Sequence, residues 1–161
     1  MHIITAFSGI VNGGIYHEPT ILDDGPERKS HRVVSEKVSE MMRPLLRDVV
    51  IKGSGKNANV KGYEVAGKTG TANKIVDGKY VKNAVRTSFI STFPASKPQY
   101  ALLVTMDEPK ASKETYGFST AGWNSVPTAG KIIARVAPQL NVPANFLLEE
   151  QKKHIIEASY R

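Results

Sequence analysis

Val65-Ala66-Gly67-Lys68-Thr69-Gly70-Thr71-Ala72 places a lysine, two threonines and two glycines within residues 67–72. A lysine ammonium offers a positive charge and three donors, and each threonine hydroxyl both donates and accepts. Glycine lets another molecule approach the backbone closely. The combination suits a small anion, a carboxylate or a phosphate. The element that carries it decides between them. Ahead of a helix N-terminus the stretch is a phosphate loop; along an edge strand it is a carboxylate clamp.

A pattern search favours the phosphate. Gly62-Tyr63-Glu64-Val65-Ala66-Gly67-Lys68-Thr69 satisfies GxxxxGK[ST] literally, and Leu102-Leu103-Val104-Thr105-Met106-Asp107-Glu108 resembles an apolar strand ending in a metal-binding acid. The surroundings argue the other way. A phosphate loop follows an apolar strand and opens a helix, but the residues before Gly62 are polar and loop-like. Tyr63-Glu64-Val65-Ala66 reads as strand. Gly70, Thr71, Asn73 and Asp77-Gly78 after Thr69 make a poor helix start. The stretch is therefore expected on a strand over residues 63–75, where Lys68 attracts a carboxylate, Thr69 and Thr71 donate to it, and Gly70 lets the ligand lie alongside.

Outward from that strand, Asp77-Gly78 predicts a turn, and residues 87–93 and 99–106 read as two further strands of an antiparallel meander. They are joined through Pro94-Ala95-Ser96-Lys97-Pro98. Residues 53–62 (GSGKNANVKG) read as a flexible loop and residues 108–121 as a polar one. Residues 1–12 carry Ile3, Ile4, Phe7, Ile10 and Val11 as the stripe of a buried helix, stopped by Gly13-Gly14. Residues 15–34 alternate short extended pieces with the turn Asp23-Asp24-Gly25-Pro26. Ser35 reads as the N-cap of a helix bearing Val38, Met41, Met42, Leu45, Leu46, Val49 and Val50, with Pro44 on the opposite face kinking or restarting it. Met41-Met42 is expected in the core. Residues 126–136 read as a helix with Ile132, Ile133 and Val136 on one face, followed by the breakers Pro138 and Pro143. Residues 144–160 are expected as a short amphipathic helix. The fold class is thus α+β, an antiparallel sheet with flanking helices, divided into residues 1–140 and a tail of residues 141–161.

Composition narrows the function classes. The 161 residues hold no cysteine, which removes zinc–thiolate sites, thiol catalysis and disulfides. The net charge of +7 is compatible with an anionic polymer, but the basic residues are scattered and form no aromatic-interleaved stripe, so nucleic acid is not expected as a partner. No run approaches the about 18 apolar residues of a membrane span. No targeting signal is read, and the apolar start suggests a chain beginning inside a larger fold. His2, His17, His31 and His154 lack ligand spacing, and Asp107-Glu108 has no partner acids at motif spacing, so no metal and no cofactor is expected. Trp123 is read as packing, beside a loop over 110–122 that can line a groove.

Lys68-Thr69-Gly70 is one of the signature motifs of penicillin-binding proteins and serine β-lactamases. The wider AGKTGTA resembles the transpeptidase domains of penicillin-binding proteins more than the lactamases. Phe7-Ser8-Gly9-Ile10-Val11-Asn12-Gly13-Gly14 with Pro19, Gly53-Ser54-Gly55-Lys56, Gly62-Tyr63, Ser88-Phe89-Ile90, Pro94-Ala95, Tyr100 and Asp107-Glu108-Pro109 extend the resemblance almost end to end. The whole is most similar to the C-terminal portion of class B, cell-division (FtsI-type) peptidoglycan D,D-transpeptidases. The resemblance implies that Lys68, Thr69, Gly70 and Thr71 bind the carboxylate of a D-Ala-D-Ala stem peptide or of a β-lactam. It gives the Thr71 backbone N–H to the oxyanion hole, where losing one donor typically costs about 10²–10³ in rate. It also implies action at the periplasmic face of the inner membrane and division-machinery partners.

That family's nucleophile lies in S-x-x-K, and a second motif is S-x-N. No serine of this chain has lysine three positions later or asparagine two positions later. Without nucleophile and base, covalent catalysis by this route is not available. The expectation is a partial transpeptidase-like fold lacking the helical lobe with the nucleophile, inactive alone, from a split gene, a shortened polypeptide or a mis-assigned start. Its partner would be the missing N-terminal part of the domain. A non-catalytic binding module descended from such an enzyme stands as the alternative, and a nucleotide site as a remote one.

Overall fold

The structure, a computed structural model, describes residues 1–22 and 29–146. The first helix, α1 (His2–Val11), leads into a two-stranded antiparallel ribbon, β1 (Ile15–His17) and β2 (Ser30–Arg32). A long helix, α2 (Glu36–Ile51), follows. A three-stranded antiparallel sheet comes next in the order β3 (Ala66–Val76), β4 (Lys79–Phe93), β5 (Tyr100–Asp107). The described chain closes with α3 (Ser125–Gln139). Short 3-10 turns occupy Lys56–Ala58 and Ala121–Trp123. The expected meander is present, with Asp77 and Gly78 both at positive φ in the β3–β4 turn.

Side chains alternate across a strand, so each strand feeds both faces of the sheet. Phe89 and Val104, which pair in register, face α3 and join Val126, Ala129 and Ile133 in the larger core. Ala66 and Ile90 face the other way and pack with Phe7 and Val11 of α1 and Leu46 of α2. Two arginines fasten α2 to the sheet's approach: Arg47 donates to the Val65 carbonyl at 2.6 Å, and Arg43 to that of Ser96 at 3.1 Å.

Several expectations change. Ser35 caps α2 as expected, its hydroxyl accepting from the Val38 N–H at 3.3 Å. Yet α2 runs unbroken through Pro44, which lies exposed, where water can satisfy the carbonyl that loses its partner. Met41 and Leu45 are each 60% exposed; the buried face of α2 holds Ser39, Leu46 and Val50 instead. Ile3 of α1 is also exposed. Ser39 is buried because its hydroxyl accepts from the Gly13 N–H at 3.0 Å, tying the two helices together. On α3 the buried stripe is Val126, Ala129, Gly130, Ile133 and Ala137, while Ile132 and Val136 are only half-buried. Pro138 sits in the last turn of α3 and does not end it.

The loop over residues 53–62 is a packed element. Gly55 and Ala58 are buried, and a Cβ on Gly130 of α3 would meet the Asn57 carbonyl oxygen at 2.8 Å. Small residues let helix and loop touch backbone to backbone. The tail helix expected over 144–160 lies outside the described residues from 147 onward.

Candidate functional site

Lys68, Thr69, Gly70 and Thr71 all lie on β3, paired with Ile90, Phe89, Ser88 and Thr87 of β4. The strand continues to Val76, so no helix opens after the lysine, and the geometry of a phosphate loop is not formed. Among the described residues no strand pairs with the other edge of β3. An edge strand presents backbone donors and acceptors to whatever lies beside it.

The alternation of the strand divides the motif. Thr69 and Thr71 share the α3 face with Phe89 and Thr87; Lys68 and Gly70 share the opposite face with Ile90 and Ser88. The two threonines line a cavity of about 350 Å³ together with Ser54, Lys56, Asn57, Thr120, Ala121, Gly122 and Trp123. Lys68 is not among the lining residues. Its exposed ammonium turns onto the Thr69 carbonyl at 3.0 Å.

Each hydroxyl has a defined partner. Thr69 Oγ1 lies 2.8 Å from Ser54 Oγ, either of which can be the donor. Thr71 Oγ1 accepts from the Ala121 N–H at 3.1 Å, which leaves the Thr71 proton free to be donated outward. The 119–124 segment is fixed from beneath. Asn124 Oδ1 receives bonds from Thr87 Oγ1 (2.7 Å) and the Ser125 N–H (2.7 Å), and its Nδ2 donates to the Ser119 carbonyl (2.9 Å). Asn57 Nδ2 donates to the Gly122 carbonyl at 3.0 Å, joining the two walls. Trp123 stacks on Phe118 at 5.5 Å and meets the edge of Tyr116 at 5.4 Å.

The two glycines serve different ends. A Cβ on Gly67 would lie 2.4 Å from the Ile90 carbonyl and 2.8 Å from the Phe89 ring, so Gly67 serves packing within the sheet. A Cβ on Gly70 would meet the Ser88 hydroxyl at 2.7 Å and no other atom within 4 Å, which leaves that side of the strand open.

Beyond the motif, residues 81–84 of β4 oppose only Lys74, an irregularity in the part of the hairpin that β5 does not pair. Lys74 Nζ bridges Asp107 (3.1 Å) and Glu108 (2.8 Å) at the end of β5. Hydrogen bonds to Glu108 and then Asp107 raise the Lys74 ammonium above its ordinary value. The Lys74 bond in turn holds both carboxyls below theirs, with burial opposing. Asp107 and Glu108 therefore terminate and brace a strand. Among the described residues no three His, Asp or Glu gather as metal ligands, and no helix is long and apolar enough to cross a membrane.

Ser54, Lys56 and Asn57 line the cavity and Asn124 braces its wall, and none of the four was legible in the sequence in that place. The first three sit in a stretch whose glycines and asparagines read as flexible. Only its Ala58 and Val60 hinted at an anchored loop.

Residues 1–128 match the penicillin binding protein transpeptidase domain family. The chain belongs to that family. It is 38% identical over 148 residues to a Caulobacter vibrioides protein named "Probable peptidoglycan D,D-transpeptidase FtsI", covering 85% of this chain and 25% of that protein. It is 35% identical over 171 aligned positions to stage V sporulation protein D of Bacillus subtilis, covering 98% of this chain and 24% of that one. Among solved structures, the apo transpeptidase domain of Burkholderia pseudomallei penicillin-binding protein 3 superposes with a TM-score of 0.76 at 33% identity, over 89% of this chain and 43% of that domain. Mycobacterium tuberculosis penicillin binding protein 3, solved with ampicillin, gives 0.74 at 28% identity, over 89% and 35%. The chain thus spans about a quarter of the length of the curated relatives it matches. The α+β architecture is that of the penicillin-binding transpeptidase domain.

Proposed function

We propose that this chain supplies the substrate-binding strand of a cell-division-type peptidoglycan D,D-transpeptidase, and that it does not form an acyl-enzyme alone. The observation that carries the reading is the pair Thr69 and Thr71, two positions apart on a strand edge that no other strand pairs among the described residues, and facing one cavity. Thr71 keeps a proton to donate, and Thr69 does so whenever Ser54 donates to it. A stem peptide ending in D-Ala-D-Ala, or a β-lactam, lies along β3 as an added strand. Its carboxylate meets the two hydroxyls, and Lys68, held by one bond to its neighbour's carbonyl, swings to the strand edge to join them. The Thr71 N–H is one donor of the oxyanion hole. Gly70 leaves room for the ligand. The nucleophile and its base come from an S-x-x-K segment outside this sequence, so catalysis belongs to the assembled domain, acting on the periplasmic side.

Incubation with a labelled penicillin tests the inactivity. The expected outcome is no covalent adduct by mass spectrometry, together with reversible shifts of the Thr69 and Thr71 amide signals. A stable stoichiometric acyl-protein would overturn it.

A further inference from the structure

We infer that Lys56 is a second cation for the ligand carboxylate, reading it from the threonine face of the strand. The inference rests on the carboxylate reading of Thr69 and Thr71 and adds a specificity-determining residue to it. The two threonine hydroxyls open on the α3 side of β3, and among the described residues the only charged side chain lining that cavity is Lys56. Lys68 lies across the strand, over the opposite face.

Three features make Lys56 more than a surface lysine. Among the described residues no acid lines the cavity with it and Lys56 makes no ion pair, so its charge is unpaired beside a cavity that both hydroxyls line. Its backbone is held in place: the Lys56 N–H donates to the Gly53 carbonyl at 3.3 Å, and the following Asn57 is bonded to Gly122 on the far wall. Its neighbour Ser54 already touches Thr69, so the loop bearing Lys56 is in register with the motif. A carboxylate on the threonines is then flanked by Lys56 on one side of the strand and by Lys68 on the other. Charge-assisted bonds to two cations favour an ionised acid over a neutral amide of the same shape.

The test uses the full 161-residue chain. N-acetyl-D-Ala-D-Ala and its C-terminal carboxamide are titrated at low ionic strength, with the Thr69, Thr71 and Ala121 amide signals as readout. Lys56→Ala is expected to weaken the acid about fivefold, the upper range of an exposed ion pair, and to leave the carboxamide unchanged. Lys56→Arg should keep the acid preference, and added salt should shrink it. If Lys56→Ala leaves the acid unchanged while Lys68→Ala weakens it, the inference is overturned and the carboxylate reading stands. Equal weakening of acid and carboxamide would mean a structural role and also overturn it. A wild-type chain that does not distinguish acid from carboxamide removes both the inference and the reading beneath it.

Discussion

The two faces of the sheet are built to different standards. Against α3, Phe89, Val126 and Ile133 are wholly buried, and a bonded set of Thr87, Asn124 and Ser125 closes the end. Against α1 and α2, the buried cluster is Phe7, Val11, Leu46, Ala66 and Ala95, and the outer side of those helices shows Ile3, Met41 and Leu45 to solvent. One strand, β3, serves both. Its threonines stand on the tightly packed face and its lysine on the looser one. Rigid support under a hydroxyl fixes its direction, whereas a long flexible ammonium needs only to be near.

Phe89→Ala strikes the better-packed face and should cost most, about 3–5 kcal/mol in urea denaturation. A loss under about 1 kcal/mol would erase the contrast between faces. Gly67→Ala should follow at about 2 kcal/mol, since its new methyl meets the Ile90 carbonyl and the Phe89 ring. Asn124→Ala removes an acceptor shared by Thr87 and Ser125 and should cost about 1.5 kcal/mol. It should also shift the Ala121 amide signal, because the segment bonded to Thr71 loses its anchor.

The charge cluster at the hairpin gives a smaller, pH-dependent effect. Asp107 and Glu108 are held below their ordinary values of 3.8 and 4.5, so their contribution is complete above those values and fades as pH falls through the lowered ones. Lys74 is raised above 10.5, so its share persists below that value and is lost as pH rises through the raised one. Melting temperature followed from pH 7 downward should fall less steeply in Lys74→Met than in the wild type. Parallel curves would detach Lys74 from the acids. The smallest effect is expected from Met41→Ser and Leu45→Ser, each within about 0.5 kcal/mol. A large loss there would show the looser face to be packed after all.

The meander was legible because Asp77-Gly78 and the alternation along 87–93 and 99–106 obey local rules of turn and pleat. The strand placement of Thr69 and Thr71 was legible because the residues after Lys68 make a poor helix start. What failed has a common cause. Apolar residues at helical spacing show that one side is greasy, not which side finds a partner, so Met41 is expected in the core whereas the structure buries Ser39 and leaves Met41 exposed. The small buried stripe of α3, with Ala129 and Gly130, carries little hydrophobic signal because its value is in close approach. The 53–62 loop was misread for the same reason: glycines that permit flexibility also permit contact, and the backbone fit between Asn57 and Gly130 is a tertiary fact. Strand alternation sets Lys68 on the face opposite its threonines, although the sequence reading groups all three on one ligand.

That fit between Gly130 and Asn57 has a mechanical side. Both walls of the cavity, the 53–58 turn and the 119–123 segment, are attached to α3 or to its entry, and Asn57 and Gly122 latch them together. The opening between them is gauged by the seating of one helix. A methyl group added at position 130, on the helix flank and outside the cavity lining, would meet the Asn57 carbonyl at 2.8 Å and press the turn that carries Ser54 and Lys56 away from the helix.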